Sequence, residues 1–347
     1  NSSIKNNLSF VMNWGIIGLG HMAKNFASSI KELDNTKLIG ASSRSFLKLI
    51  KYGYKNKIRF KYLYRKYDEI LSCKEINNIY IGTLNNTHHD FIIKCVEAGK
   101  NILCEKPFAI NSNEAENIRK KLNKSNIFFL EAIAYRTHPQ TEQVMKLLKE
   151  NIIGKITNIK SNFGFDAGTP KKNSRIFNNQ LGGGSILDLG CYPITFSNLI
   201  ANYNNKEKEI VPKLKDVSGE IHSLGVDLSA KAKLVYDNSI ISEVEVSINK
   251  GLSNVTEIFG VNGSIKILDP WLPKKSNIIE IHKNNKIKKI VSSSELSLFA
   301  NQINSFNIYV KNKKYKDSHH AMSIDNSVNY VKVMSEWKSL LFKNENY

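Results

Sequence analysis

The segment Gly18-Leu19-Gly20-His21-Met22-Ala23 constrains this chain more than any other, because it stands between a strand signal and a helix signal. The apolar run Trp14 to Ile17 ends at Gly18, and Ala23 to Leu33 reads as an amphipathic helix with Phe26 and Ile30 on one face. In G-x-G-x-x-A the first glycine permits a tight turn and the second lets the backbone approach a pyrophosphate. The small Ala23 allows close packing of helix on strand, and the helix N-terminus offers amide donors to an anion. A Gly-x-Gly turn alone is weak evidence. At the head of a βαβ series it points to dinucleotide binding.

Such a series follows. Strand signals recur at Lys37 to Ser42, Asn78 to Gly82, Asn101 to Cys104 and Ile127 to Leu130. Helix signals fall between them at Asp68 to Leu71, at Asp90 to Ala98 (ending on Gly99) and at Glu114 to Leu122. The alternation predicts a Rossmann domain with a parallel sheet over residues 12–133, preceded by a disordered extension at 1–11. Residues 134–347 read differently. After a helix at Gln140 to Glu150, strands are expected at Ile156 to Phe165, Val217 to His222, Val226 to Tyr236, Ile240 to Asn249, Thr256 to Val261 and Ser264 to Leu268. One long helix, Ser185 to Ala201, interrupts them, and a terminal helix at about Ser318 to Leu341 follows. The expected fold is a Rossmann parallel sheet plus a C-terminal α+β domain with a large, open, mostly antiparallel sheet.

The end of the second strand bears on the cofactor. NAD enzymes usually place an acid there for the adenosine ribose. Here the chain reads Ser42-Ser43-Arg44-Ser45, with no acid, and Arg44 and Ser43 suit a 2′-phosphate. NADP is the preferred expectation, with NAD possible, although a solvated loop arginine would look the same.

Two further strings carry chemistry. Cys104-Glu105-Lys106-Pro107 follows a strand at the C-terminal end of the sheet, where ligands bind, and a lysine there can stabilise charge on a substrate oxygen. Alone, it could be a capped loop. Gly182-Gly183-Gly184-Ser185-Ile186-Leu187-Asp188-Leu189-Gly190-Cys191-Tyr192-Pro193 sets Asp188 and Tyr192 four apart, on one helix face. A helix-start carboxylate and a packing aromatic would give the same spacing.

Together with Thr83-Leu84-Asn85-Asn86-Thr87-His88, these strings resemble the Gfo/Idh/MocA oxidoreductases across essentially the whole chain. The resemblance implies oxidation or reduction of a hydroxyl or ketone on a sugar, cyclitol or related diol. It implies a catalytic Lys106, with Asp188 and Tyr192 as its partners. The last position of the family string is often His; Tyr192 there, with Glu131-Ala132-Ile133-Ala134-Tyr135-Arg136-Thr137-His138-Pro139, is similar to the branch holding glucose-fructose oxidoreductase, xylose dehydrogenases and dihydrodiol dehydrogenases. One departure is Leu84, where the family usually has proline. The expected cofactor contacts are Gly18, Leu19, Gly20, His21, Met22, Ser43, Arg44, Thr83, Leu84, Asn85, His88, Glu105 and Lys106. The expected substrate wall is Tyr135, Arg136, His138, Phe165, Arg175, Asp188 and Tyr192. Tyr192 is expected to act as acid/base, with Lys106 lowering its pKa. The rival readings are a non-catalytic NADP-binding sensor or assembly protein, and a relative that recycles tightly bound cofactor.

The net charge of +19 raises the question of an anionic partner. The densest stretch, Lys51 to Lys66 with Tyr52, Tyr54, Tyr62 and Tyr64, also reads as the loop and helix after a second strand, so no nucleic acid is expected. No apolar run is long enough to span a membrane, no signal marks export, and the cytoplasm is the expected location. Cys73, Cys95, Cys104 and Cys191 lack metal or redox spacing, and the adjacent pairs His88-His89 and His319-His320 lack the i, i+4 spacing of a helical metal site. No metal is expected. A homodimer or homotetramer through the C-terminal sheet is implied by the resemblance.

Overall fold

The computed structural model describes residues 11–171, 173–205, 209–313 and 320–344; the extension expected at 1–11 lies outside the described residues but for Val11. Six strands form the first sheet: β1 (Met12–Ile17), β2 (Thr36–Ser42), β3 (Leu63–Tyr64), β4 (Asn78–Ile81), β5 (Asn101–Cys104) and β6 (Phe129–Glu131). All pair in parallel, in the order β3-β2-β1-β4-β5-β6. The order reverses between β1 and β4, and such a switch point opens a crevice at the strands' C-terminal ends. Helices α1 (His21–Ser29), α2 (Phe46–Lys55), α3 (Tyr67–Leu71), α4 (His88–Glu97) and α5 (Ser112–Asn123) make the crossovers. The short edge strand β3 was not anticipated: its two residues carry no period.

Beyond α6 (Pro139–Lys149) comes an eight-stranded sheet of β7 (Ile156–Gly164), β8 (Lys213–His222), β9 (Val226–Val235), β10 (Ile241–Ser247), β11 (Thr256–Gly260), β12 (Gly263–Ile267), β13 (Ser276–Lys283) and β14 (Lys286–Ser293). Its order is β14-β13-β12-β11-β7-β10-β9-β8, and only β7 and β10 run parallel. The inward residues Ala230, Ala232 and Leu234 of β9 are buried, as their alternation predicts. The helix expected over 185–201 divides into α7 (Ser185–Leu189) and α8 (Cys191–Ala201). Gly190 between them keeps helical angles, so Asp188 and Tyr192 still share a face.

Three elements besides β3 correct the expected count. β13 and β14 were not among the expected strands: Lys286, Lys288 and Lys289 fall on both faces of β14 and blur its alternation. Helix α9 (Leu298–Asn312) was missed, because its four asparagines depress helix propensity. Tertiary packing supports it: Ile303 and Phe306 are fully buried in the core of the first sheet, against Trp14. Helix α10 (Ile324–Asn344) closes the chain against α5 and β8.

Candidate active site

At the C-terminal ends of β1, β2, β4 and β5 lies a cleft of about 810 Å³, and its far wall comes from the second domain. Gly18 forms its first turn at φ +90°, where an added Cβ would stand 2.7 Å from the carbonyl oxygen of Gly82. At Gly20 the nearest atom to such a Cβ is 3.7 Å away, so the backbone is bare toward the cleft. Helix α1 starts there with no side-chain cap and no acid in its first turn. Its amides are therefore available to a pyrophosphate. The turn and helix fit a dinucleotide.

Leu19, His21, Met22, Ser43, Arg44, Thr83, Leu84, Asn85, Glu105 and Lys106 line the same cleft. Leu84 adopts φ −76°, close to the angle proline would impose, so the departure from proline leaves the loop's path intact. Asn85 donates from Nδ2 to Gly182 O at 3.0 Å and ties this loop to the triple glycine. His88 does not line the cleft. It is buried beneath it, donating from Nδ1 to Pro107 O at 2.8 Å and so fixing the Lys106 loop. Burial outweighs its carbonyl partners and lowers its pKa to about 4.

Lys106, Asp188, Arg175 and Tyr192 meet at the domain junction. Lys106 Nζ donates to Asp188 O at 2.5 Å and lies 3.6 Å from Asp188 Oδ1. Arg175 reaches the same carboxylate oxygen at 3.0 Å. Burial works against the charges of Lys106 and Asp188, but each supports the other. The net result lifts the Lys106 pKa and, with Arg175, lowers that of Asp188. The Lys106 ammonium lies 5.2 Å from the ring centre of Tyr192. Burial raises the Tyr192 pKa, against the pull of Lys106. Glu105 accepts a hydrogen bond from Tyr80 at 2.6 Å, and desolvation raises its pKa.

Three residues expected in the substrate wall stand behind it instead. Tyr135 is fully buried and bonded to Thr195 at 2.8 Å. Arg136 donates to the carbonyl oxygens of Thr195 and His320. His138 caps α6, accepting from Gln140 N at 3.1 Å. Arg136 and His138 bond backbone and Tyr135 bonds the Thr195 hydroxyl, which is why a motif rich in site-like chemistry faces inward. Phe165 lies past the end of β7, off the cleft, while Phe163 lines it. Glu131, which opens the same motif, accepts from Phe108 N, Ser327 Oγ and Tyr330 Oη and anchors α10 beneath the site.

The cleft also holds residues that no local motif marks. Phe163 meets Tyr192 edge-on at 5.0 Å and stacks with Trp271 at 6.0 Å; Phe299 and Leu272 complete an apolar wall. They come from β7, a loop and α9, so only the tertiary fold assembles them. Lys48, one turn after Arg44, joins Ser43, Arg44 and Ser45 in the corner beyond β2. Its i+4 spacing from Arg44 was the available signal. Among the described residues, no cluster of His, Cys, Asp and Glu could hold a metal ion, and no helix is long and apolar enough to cross a membrane.

Residues 12–131 match the model described as "Oxidoreductase family, NAD-binding Rossmann fold", and residues 141–266 match the Gfo/Idh/MocA C-terminal domain. The chain belongs to the Gfo/Idh/MocA family. It is an NAD(P)-binding oxidoreductase of the dehydrogenase and reductase type. The trans-1,2-dihydrobenzene-1,2-diol dehydrogenase of Xenopus tropicalis is 30% identical over 263 residues, 75% of this chain and 76% of that protein. The human enzyme of that name is 26% identical over 279 residues, 78% of this chain and 79% of that one. Among solved structures, a 3-ketoreductase from Actinomadura kijaniata in complex with NADP and TDP-benzene aligns at TM-score 0.82 and 18% identity, over 96% of this chain and 97% of that one. An aldose-aldose oxidoreductase from Caulobacter crescentus aligns at TM-score 0.85 and 18% identity, over 96% and 98%. Both likenesses establish the shared fold.

Proposed function

We propose that this Gfo/Idh/MocA protein is an NADP-dependent enzyme interconverting a carbinol and a ketone on a ring that bears vicinal hydroxyls, with Tyr192 as the proton-transferring group. The observation that carries this reading is the approach of Lys106 to both Asp188 and the Tyr192 ring in the cleft that begins at Gly18. When bound, the nicotinamide supplies or takes up the hydride. Gly18, Gly20 and the start of α1 would hold its pyrophosphate, and Ser43, Arg44 and Lys48 a 2′-phosphate. The absence of any acid in that corner supports NADP over NAD.

Tyr192 and Lys106 both carry protons at neutral pH, given their raised pKa values. The Tyr192 hydroxyl can donate its proton to a carbonyl oxygen as that oxygen gains charge. Lys106 has three N–H donors, of which Asp188 takes one, leaving others to orient and stabilise the same oxygen. Asp188 keeps Lys106 charged, and Arg175 shares that carboxylate. Phe163 and Trp271 would hold the apolar face of a ring, which favours a cyclic diol over a fully hydroxylated sugar. Tyr135, Arg136 and His138 support the wall from behind.

The change from parallel to antiparallel sheet supports a domain division at 133/134, which α9 crosses in returning to the first core. The exposed outward pair Ile278 and Val291 supports assembly through the eight-stranded sheet. The deciding experiment is NADP- and NAD-linked turnover on trans-dihydrodiols, aldoses and inositols, for wild type and Tyr192→Phe. Full turnover by the Tyr192→Phe protein refutes the proton-transfer role.

A further inference from the structure

Between Asn35 and Tyr67 the chain carries ten basic residues and no acidic one, so this short stretch supplies more than half of the net +19. The sequence by itself reads it as an ordinary loop and helix. The fold alters that judgement by placing a second basic element opposite. Helices α1 and α2 enclose a groove of about 670 Å³, with Lys24 and Lys31 on one wall and Lys48, Lys51 and Lys55 on the other. Positions 48, 51 and 55 fall at i, i+3 and i+7, a stripe on one helix face. Lys24, Ser28 and Lys31 make the facing stripe.

All five lysines are exposed, and no acid lines the groove. None of the five forms an ion pair among the described residues, whereas Lys61, Lys94 and Lys275 do. Unpaired like charges on facing walls repel, and a chain of phosphates relieves that repulsion. From Lys48 to Lys55 the α2 stripe runs about 10 Å at the helical rise per residue. That is about three nucleotides of a stacked strand. Aromatic rings stand free on the same segment: Tyr54 is 90% and Phe60 73% exposed. Bases stack on such faces whatever their sequence. A bilayer is flat and would meet the ridge of α2, leaving Lys24 and Lys31 on the far wall unengaged. A strand can enter the groove.

We propose that the α1–α2 groove binds single-stranded nucleic acid, with Lys24, Lys31, Lys51 and Lys55 on phosphates, Lys48 left to the cofactor, and Tyr54 and Phe60, exposed on the same segment outside the groove's lining, as stacking platforms. The groove opens at Gly20, His21 and Lys48 into the cofactor cleft, so the two ligands meet at one end.

The test is fluorescence anisotropy of the full chain with a labelled oligo(U) of about 12 nucleotides, a length suited to a single-strand site. A duplex of equal length and phosphatidylcholine vesicles containing phosphatidylserine are run beside it. Four phosphate contacts give a slope of log affinity against log salt of about −2.8. Lys51→Glu/Lys55→Glu weakens binding by about tenfold or more and flattens that slope by about 1.4. Tyr54→Ala weakens it by about fivefold or more with the slope unchanged. Dehydrogenase turnover stays at the wild-type level in both variants. The proposal is overturned if the strand does not bind, if the lysine variant binds it as well as wild type, if duplex binds as tightly, or if the vesicles bind and the strand does not.

Discussion

Asp227, on β9, accepts the backbone N–H of Ile186 at 2.6 Å, two residues before Asp188 enters the cleft. The same carboxylate oxygen accepts from Ser185 Oγ at 2.7 Å, and Gly184 leaves it room, since a Cβ there would overlap the carboxylate. The second sheet thus sets the start of α7, and through it the carbonyl and carboxylate that hold Lys106. Asp227→Ala is expected to lower stability by about 1–2 kcal/mol, as for loss of a helix cap. It should lower kcat as well, by letting Asp188 drift. Asp227→Asn keeps an acceptor oxygen and should restore both, which urea unfolding and steady-state kinetics will read.

Tyr192→Phe removes the proposed proton without changing the packing against Phe163. Turnover is expected to fall by about 10²–10⁴, the usual span for a general acid/base, with KM nearly unchanged. Because burial raises the Tyr192 pKa, wild-type ketone reduction should hold at neutral pH. Alcohol oxidation should climb as pH rises into the alkaline range. In the Phe variant that climb should vanish.

Cofactor choice is expected to follow the corner beyond β2. Arg44→Ala and Lys48→Ala should each raise KM for NADP by about tenfold, the worth of a hydrogen bond to a charged group. KM for NAD should barely move. Equal effects on both cofactors would sink the 2′-phosphate assignment.

His88 and His138 both have pKa values lowered to about 4, chiefly by burial. In the unfolded chain a histidine protonates near 6.5. Below that value the unfolded state binds more protons, so stability is intact above pH 6.5 and drains as pH falls toward 4. Melting temperatures measured across that window should slope downward on the acid side. The slope should be shallower in His88→Gln, which can still donate to Pro107 O.

The sequence made the nucleotide-binding half legible because its information is local: Gly18, Gly20 and Ala23 sit within six residues, and each short strand is a buried apolar run. Lys106, Asp188 and Tyr192 were readable for the same reason. Phe163, Trp271 and Phe299 were not, since they lie on three distant elements and reach the cleft only through the fold. Tyr135, Arg136 and His138 drew attention by their chemistry, yet their hydrogen bonds go to backbone and a neighbouring helix. The lysines of β14 and the asparagines of α9 hid regular structure that long-range contacts enforce.

Helix α9 follows all eight strands of the second sheet in sequence, yet Phe306 sits 4.6 Å from Trp14, centre to centre, and Asn307 accepts from the indole of Trp14 at 3.3 Å. The nucleotide-binding half is therefore not a transplantable module. A chain cut after residue 133 would bare Trp14 and Phe26 to water. A working graft would need α9 fused back by permutation, or supplied in trans as a peptide.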